Sequence, residues 1–222
     1  LAADRIGPRR ALAFGLVLMA LGETAFGLAS SAPVALGGRA LVANAWGRKF
    51  LKPGHEILLN EMEHHANIVP WHQVAEATGA KLRWLPLTPD GRLNLDCLDD
   101  YLTERTKLVA VTGTSNVLGT INPLAELTAR AKAMGALVLV DGAQTVPHSP
   151  VNVQDPAGDF FAFSGHKLFG PSGVGVLYGR WELLEVMDPF ITGGHVISRV
   201  AKDHVTFAPP PMKFEAGTLP IA

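Results

Sequence analysis

From Leu41 onward the chain alternates short apolar runs with longer stretches of mixed polarity. His55 to Asn60, Lys81 to Leu85, Leu108 to Val111, Leu137 to Val140, Phe160 to Phe163 and Val174 to Tyr178 read as strands. Between them, Ile68 to Thr78 has helical spacing and stops at Gly79. Leu95 to Leu102 reads as a helix opened by Asn94 as N-cap. Leu124 to Met134 is a helix that follows Pro123 and ends at Gly135, and Trp181 to Met187 a short one. Strands alternating with helices of about ten residues predict an α/β domain whose mostly parallel sheet is covered by helices on both faces.

Residues 1–40 follow a different pattern. Asp4 to Arg10 is a charged turn, Ala11 to Gly22 is continuously apolar, Glu23 interrupts, and Ala25 to Leu36 is small and apolar again. An uninterrupted run of about twelve residues falls short of the roughly twenty a membrane span needs. Read through Glu23, it reaches spanning length with one costly charge inside. Three readings compete for this apolar helical segment. It is a buried or amphipathic helix; or it is a secretory signal, for which Arg9-Arg10, the apolar run and Ala29-Ser30-Ser31-Ala32 stand in the right order. The third is a resemblance: Ala3-Asp4-Arg5-Ile6-Gly7-Pro8-Arg9-Arg10 followed by an apolar helix resembles the cytoplasmic loop between the second and third helices of major facilitator transporters, without its leading glycine. That resemblance implies a foreign segment joined to the α/β unit of residues 41–222, and a membrane connection only if the segment is genuine. The start at Leu1 and the stop after Leu219-Pro220-Ile221-Ala222 lead us to expect a fragment cut at both ends.

Composition narrows the function. A net charge of −1 over 222 residues argues against a nucleic-acid or anionic-membrane partner. The single cysteine, Cys97, excludes an internal disulfide and fits a reducing, cytoplasmic compartment. Cys97 lies among leucines in a helical stretch and reads as a small buried hydrophobe.

Open parallel sheets place ligands beyond the carboxyl ends of their strands. Polar groups collect at such ends here: Glu63-His64-His65 after the first strand, Ser115-Asn116 after the Leu108 run, Asp141 and Gln144 after the Leu137 run, and Ser164, His166 and Lys167 after the Phe160 run. Lys167 stands in a segment with no other fixed charge, between Phe163 and Phe169, so a desolvated amine is expected. A lysine and an acid at the ends of separate buried strands are what pyridoxal phosphate (PLP) chemistry requires. The lysine forms a Schiff base with the cofactor, and the acid keeps the pyridine nitrogen protonated. Ser164 and His166 suit phosphate oxygens, and a His64 imidazole suits stacking on a flat ring. Adjacent histidines rarely share a metal, and no helical His-x-x-x-His spacing supports one. Gly170-Pro171-Ser172-Gly173-Val174-Gly175 lacks the lysine spacing of a phosphate loop and reads as a turn.

Taken together, Trp46 to Gly54, Glu61 to Trp71, Ser115 to Gly119, Val140 to Gln144, Phe163 to Lys167 and Phe214 to Thr218 resemble the large domain of SufS-like cysteine desulfurases, class V aminotransferases of PLP fold type I. The resemblance covers residues 41–222 and implies a PLP-dependent transferase large domain, truncated at both ends. It implies that Lys167 binds the cofactor and moves the substrate's α-proton, and that His64 stacks on the pyridine ring. Asp141 would pair with the ring nitrogen, Gln144 and Asn116 would lie near the phenolic oxygen, and Ser164 and His166 would hold phosphate. Thr218 would reach the cofactor of a partner subunit in a homodimer. The implied reaction converts L-cysteine to L-alanine and leaves an enzyme persulfide, destined for a sulfur-acceptor protein in iron–sulfur cluster assembly.

Three departures qualify it. The family's thiolate and substrate-binding arginine lie beyond Thr218; its Gly-Thr-Thr phosphate turn is replaced by Ala35-Leu36-Gly37-Gly38-Arg39-Ala40; and Gly113 stands where a histidine is usual. The first two lead us to expect an inactive fragment. Selenocysteine lyase or another class V enzyme is the alternative within the family. A membrane transporter fragment and a catalytically inactive interaction domain are the alternatives outside it.

Overall fold

The computed structural model describes residues 13–15, 37–154, 158–170 and 174–216. A seven-stranded sheet forms its centre. In chain order the strands are β1 (Ala13–Gly15), β2 (Glu56–Asn60), β3 (Lys81–Leu85), β4 (Thr106–Thr112), β5 (Leu137–Asp141), β6 (Phe160–Ser164) and β7 (Gly175–Gly179). They lie side by side in the order β1-β7-β6-β5-β4-β2-β3. The pairs from β6 through β5, β4 and β2 to β3 are parallel; β7 runs antiparallel to β6, and β1 antiparallel to β7. A separate hairpin pairs β8 (Ile197–Val200) with β9 (Val205–Phe207).

Side chains alternate across a strand, so each central strand feeds two cores. Leu108 and Ala110 of β4 join Leu139 of β5 and Phe160 of β6 on one face. Val109 and Val111 join Val138, Val140 and Phe161 on the other. Burial on both faces is why these strands read as continuous apolar runs. The first face is covered by α1 (Gly37–Leu41), which continues as a π-helical turn, Val42–Gly47, and a last helical turn, Arg48–Phe50. It is also covered by α2 (Val69–Thr78) through Trp71 and Val74. The second face is covered by α3 (Leu98–Tyr101) and α4 (Leu124–Ala133), through Leu98, Leu127 and Ala131. A short α5 (Trp181–Val186) returns Leu184 to the first core. Gly79, at φ 74°, ends α2 with its N–H bonded to the Ala75 carbonyl, the left-handed stop that glycine makes without strain.

Several expectations need correction. The stretch after Asn94 is not one helix: Leu95–Cys97 is a 3₁₀ turn ahead of α3, and the Asn94 side chain makes no capping bond. Gly37 and Gly38, which stand where the family's phosphate turn was expected, open α1. A Cβ on Gly38 would meet Leu177 Cβ at 2.9 Å and Ala162 Cβ at 3.0 Å, so glycine is there to let the helix lie directly on β6 and β7. The apolar helix expected over Ala11 to Gly22 is interrupted by β1, which pairs Ala13 with Gly179 and Gly15 with Leu177. An open strand edge offers unpaired backbone groups to any extended segment, and β1 takes that place beside β7. Among the described residues no helix is long and apolar enough to cross a membrane. The β8–β9 hairpin left no apolar alternation to read, because most of its residues are exposed.

Candidate active site

The carboxyl ends of β2, β4, β5 and β6 open on one side of the sheet, and a cavity of about 180 Å³ lies there. His64, Asn116, Asp141, Gln144, Ser164, His166 and Lys167 all line it. Thr218 lies outside the described residues. Sequence reasoning did not single out three further lining residues: Arg39 of α1, and Thr112 and Thr114 at the end of β4. For Arg39 a signal existed, since it is the only charge between Leu36 and Gly47, and an isolated charge in a buried segment is normally paired.

Asp141 closes β5 and is only 2% exposed. Its Oδ1 accepts hydrogen bonds from Arg39 Nη1 at 2.8 Å and from the backbone N–H of Ala143 at 3.0 Å. The residue between them, Gly142, carries no side chain for a steric reason: a Cβ there would overlap the buried ring of Phe161 on β6. Arg39 is itself 5% exposed, and among the described residues its buried Nε has no hydrogen-bond partner.

His64 Nδ1 accepts from the Ala66 N–H at 3.1 Å, which leaves the ring proton on Nε2. Burial holds its pKa below the ordinary histidine value, and the Lys167 charge adds to that; Asp141 pulls the other way, while Arg39 and His65 lower it further. A neutral, flat ring therefore faces the cavity. Lys167 sits half-buried in the 3₁₀ turn Gly165–Leu168 that follows β6. The expected aromatic enclosure is one-sided: Phe163 packs against the second core, but Phe169, at φ 59°, is 99% exposed.

Glu63, next to the cavity-lining His64, is buried and ties three segments together. It accepts from the Asn60 side chain at the end of β2, from Asn67 Nδ2 at 2.7 Å, and from the Thr112 N–H at 2.6 Å. Burial drives its pKa up to about 8; the three N–H donors oppose the rise, and the Asp141 charge reinforces it. The space beside Gly113, where a histidine was expected from the family pattern, is filled by Thr145, whose hydroxyl bonds that of Thr114 at 3.2 Å. Cys97 is not among the cavity-lining residues; its thiol donates to the Asn94 carbonyl at 3.3 Å. Among the described residues no group of three His, Cys, Asp or Glu side chains could hold a metal ion.

A parallel sheet flanked by an antiparallel edge strand, with a lysine, a buried carboxylate and an imidazole at its carboxyl rim, defines a class of α/β transferases. Residues 37–222 match the model of the aminotransferase class-V family, and the chain belongs to that family of PLP-dependent enzymes. A cysteine desulfurase of Pectobacterium atrosepticum is 55% identical over 179 residues, covering 80% of this chain and 44% of that protein. The cysteine desulfurase CsdA of Escherichia coli superimposes with a TM-score of 0.80 at 44% identity, over 84% of this chain and 46% of that one. A variant of the cystine C-S lyase C-DES, with glycine linked to its PLP cofactor, superimposes at 0.71 with 31% identity, over 82% of this chain and 48% of that one. The chain thus spans under half the length of these relatives. The comparisons lend no support to the transporter resemblance, whose residues 3–10 lie outside the described ones.

Proposed function

We propose that this chain is the cofactor-binding part of a PLP-dependent cysteine desulfurase acting on L-cysteine, with L-alanine and an enzyme persulfide as products and iron–sulfur cluster assembly as the destination of the sulfur. One observation carries the reading: Lys167, Asp141, His64, Gln144, Ser164 and His166 arrive from three different strand ends and line one cavity. Their chemistry fits the cofactor group by group. The Lys167 amine suits an aldehyde, and the neutral His64 ring suits a pyridine face. Asp141 suits a ring nitrogen, Gln144 and Asn116 a phenolic oxygen, and Ser164 with His166 a phosphate.

When bound, the cofactor supplies an electron sink that makes loss of the substrate's α-proton feasible. Lys167 is the residue that would hold it, and its amine would serve as the general base for that proton. Asp141 would keep a proton on the ring nitrogen, which a carboxylate does best where the surroundings exclude water. His64, uncharged, would cover one ring face without adding a competing cation. Cys97 takes no part in this scheme. In this reading the thiolate that accepts sulfur is a different residue, and Thr218 serves a second copy of the chain in a homodimer. The implied domain division follows the same line, with residues 41–222 as the PLP-binding unit.

The test is direct. Incubation with PLP, borohydride reduction and peptide mass analysis should find a pyridoxyl group on Lys167, and Lys167→Ala should leave the protein unlabelled. A folded chain that acquires no label at Lys167 refutes the proposal.

A further inference from the structure

The buried partner of Asp141 in this chain is Arg39, and the proposed function gives the same carboxylate a second claimant. A protonated ring nitrogen and a guanidinium are both cationic donors. Arg39 Nη1 already holds Asp141 Oδ1 at 2.8 Å, with both side chains nearly excluded from solvent. We infer that Arg39 is an internal competitor for the cofactor: it occupies the carboxylate on which a cationic heteroaromatic ring would dock, and binding must displace or share it. This inference rests on the PLP reading of the cavity.

Three observations carry it. First, the pair spans the fold, from α1 to the end of β5; Gly38, where a Cβ would crowd Leu177 and Ala162, lets α1 lie close on the sheet, and Arg39 beside it lines the cavity. Second, the guanidinium is incompletely satisfied. Among the described residues its buried Nε has no partner, so the ion pair does not carry the full set of hydrogen bonds that offsets the desolvation of two charges. Third, the charges around Asp141 are already crowded. Lys167 and Arg39 both act on the neighbouring His64, and Glu63 lies close enough below to interact with Asp141. A pyridinium added to this set meets like charge from Arg39 unless the guanidinium withdraws. An arginine, unlike a lysine, cannot shed its proton to ease that conflict.

Replacing Arg39 by an uncharged residue of similar length therefore removes a rival, although it also leaves Asp141 unpaired in the empty protein. The two effects separate in binding measurements. Arg39→Met should bind PLP about ten- to a hundredfold more tightly than the unaltered chain, the worth of a charge-assisted hydrogen bond no longer contested. The deaza analogue of PLP, in which C–H replaces the ring nitrogen, should gain no affinity from the same substitution. Thermal unfolding provides a readout free of chemistry. The empty Arg39→Met protein should melt below the unaltered chain, and PLP should raise its melting temperature by more. The double variant with Asp141→Asn should lose this extra rise. If PLP binds Arg39→Met no more tightly, or if the deaza analogue gains as much as PLP, the competition is refuted while the cofactor reading stands. If neither protein binds PLP at all, the cofactor reading falls and the inference falls with it.

Discussion

The buried carboxyl group of Glu63 makes a quantitative prediction about pH. In the folded chain burial raises its pKa from the ordinary 4.5 to about 8. Between those values the folded state keeps a proton that the unfolded state has lost. Stability contributed by that proton is therefore complete below the ordinary carboxyl range, declines as pH rises, and is gone above about pH 8. At about 1.4 kcal/mol per tenfold change, the whole loss is roughly 4–5 kcal/mol, a large part of the 5–15 kcal/mol typical of a domain. The hydrogen-bond geometry accommodates the proton. Among the described residues, the buried Asn67 Oδ1 beside Glu63 has no partner. With the Asn67 amide turned over, a protonated Glu63 Oε2 donates to Oδ1, while Oε1 goes on accepting from Asn60 and from the Thr112 N–H. A glutamine amide at this position reproduces the same donor and acceptor pattern without a titratable group. Glu63→Gln should thus lie within about 1 kcal/mol of the unaltered chain near pH 5, should be the more stable of the two by roughly 2 kcal/mol at pH 6, and should resist the further alkaline loss. Glu63→Ala leaves three buried N–H groups unpaired, at about 1–3 kcal/mol each, and should be destabilised at every pH. Urea titrations from about pH 5 to 9 measure all three. Parallel stability profiles for the unaltered chain and Glu63→Gln would refute the reasoning, because the difference between them isolates this one proton.

Two further substitutions test the frame that positions the cavity. Gly142→Ala drives a methyl group into the Phe161 ring, which is 1% exposed and cannot retreat; we expect a loss of about 1–3 kcal/mol in denaturant titrations, together with weaker PLP binding, since the shift falls between Asp141 and Ala143. Asp159 is 1% exposed, accepts from the Val138 N–H at 2.9 Å and pairs with Arg180 at 3.1 Å. Asp159→Asn keeps one acceptor but loses the charge, and we expect about 1–3 kcal/mol of destabilisation, shrinking with added salt because Arg180 is partly exposed.

What the residue pattern could reveal depended on whether a signal was local. Strands buried on both faces, β2, β4, β5 and most of β6, announced themselves as apolar runs, and all of β2 to β7 were legible to within two residues at either end. The polar residues at the strand ends were legible too, because parallel topology forces such ends to one rim, and seven of those singled out line one cavity. Arg39 escaped because its meaning is set by a partner 102 residues away, and its helix begins with two glycines that locally argue for a break. Glu63 was visible only as part of a motif. Nothing in Glu-His-His indicates that the glutamate turns down among Asn60, Asn67 and Thr112 while the histidine beside it faces the cavity. These two residues share a physical character. Each is an ionisable group placed where water cannot solvate it, next to the one carboxylate the proposed chemistry depends on. The surroundings of Asp141 are consequently shared: Arg39 holds its Oδ1 at 2.8 Å, its charge is felt by Glu63, and in the proposed reading a cationic ring nitrogen would compete for what Arg39 now holds. A cofactor entering this cavity therefore meets an electrostatic arrangement already balanced without it, and its affinity is set by how readily that balance can be exchanged.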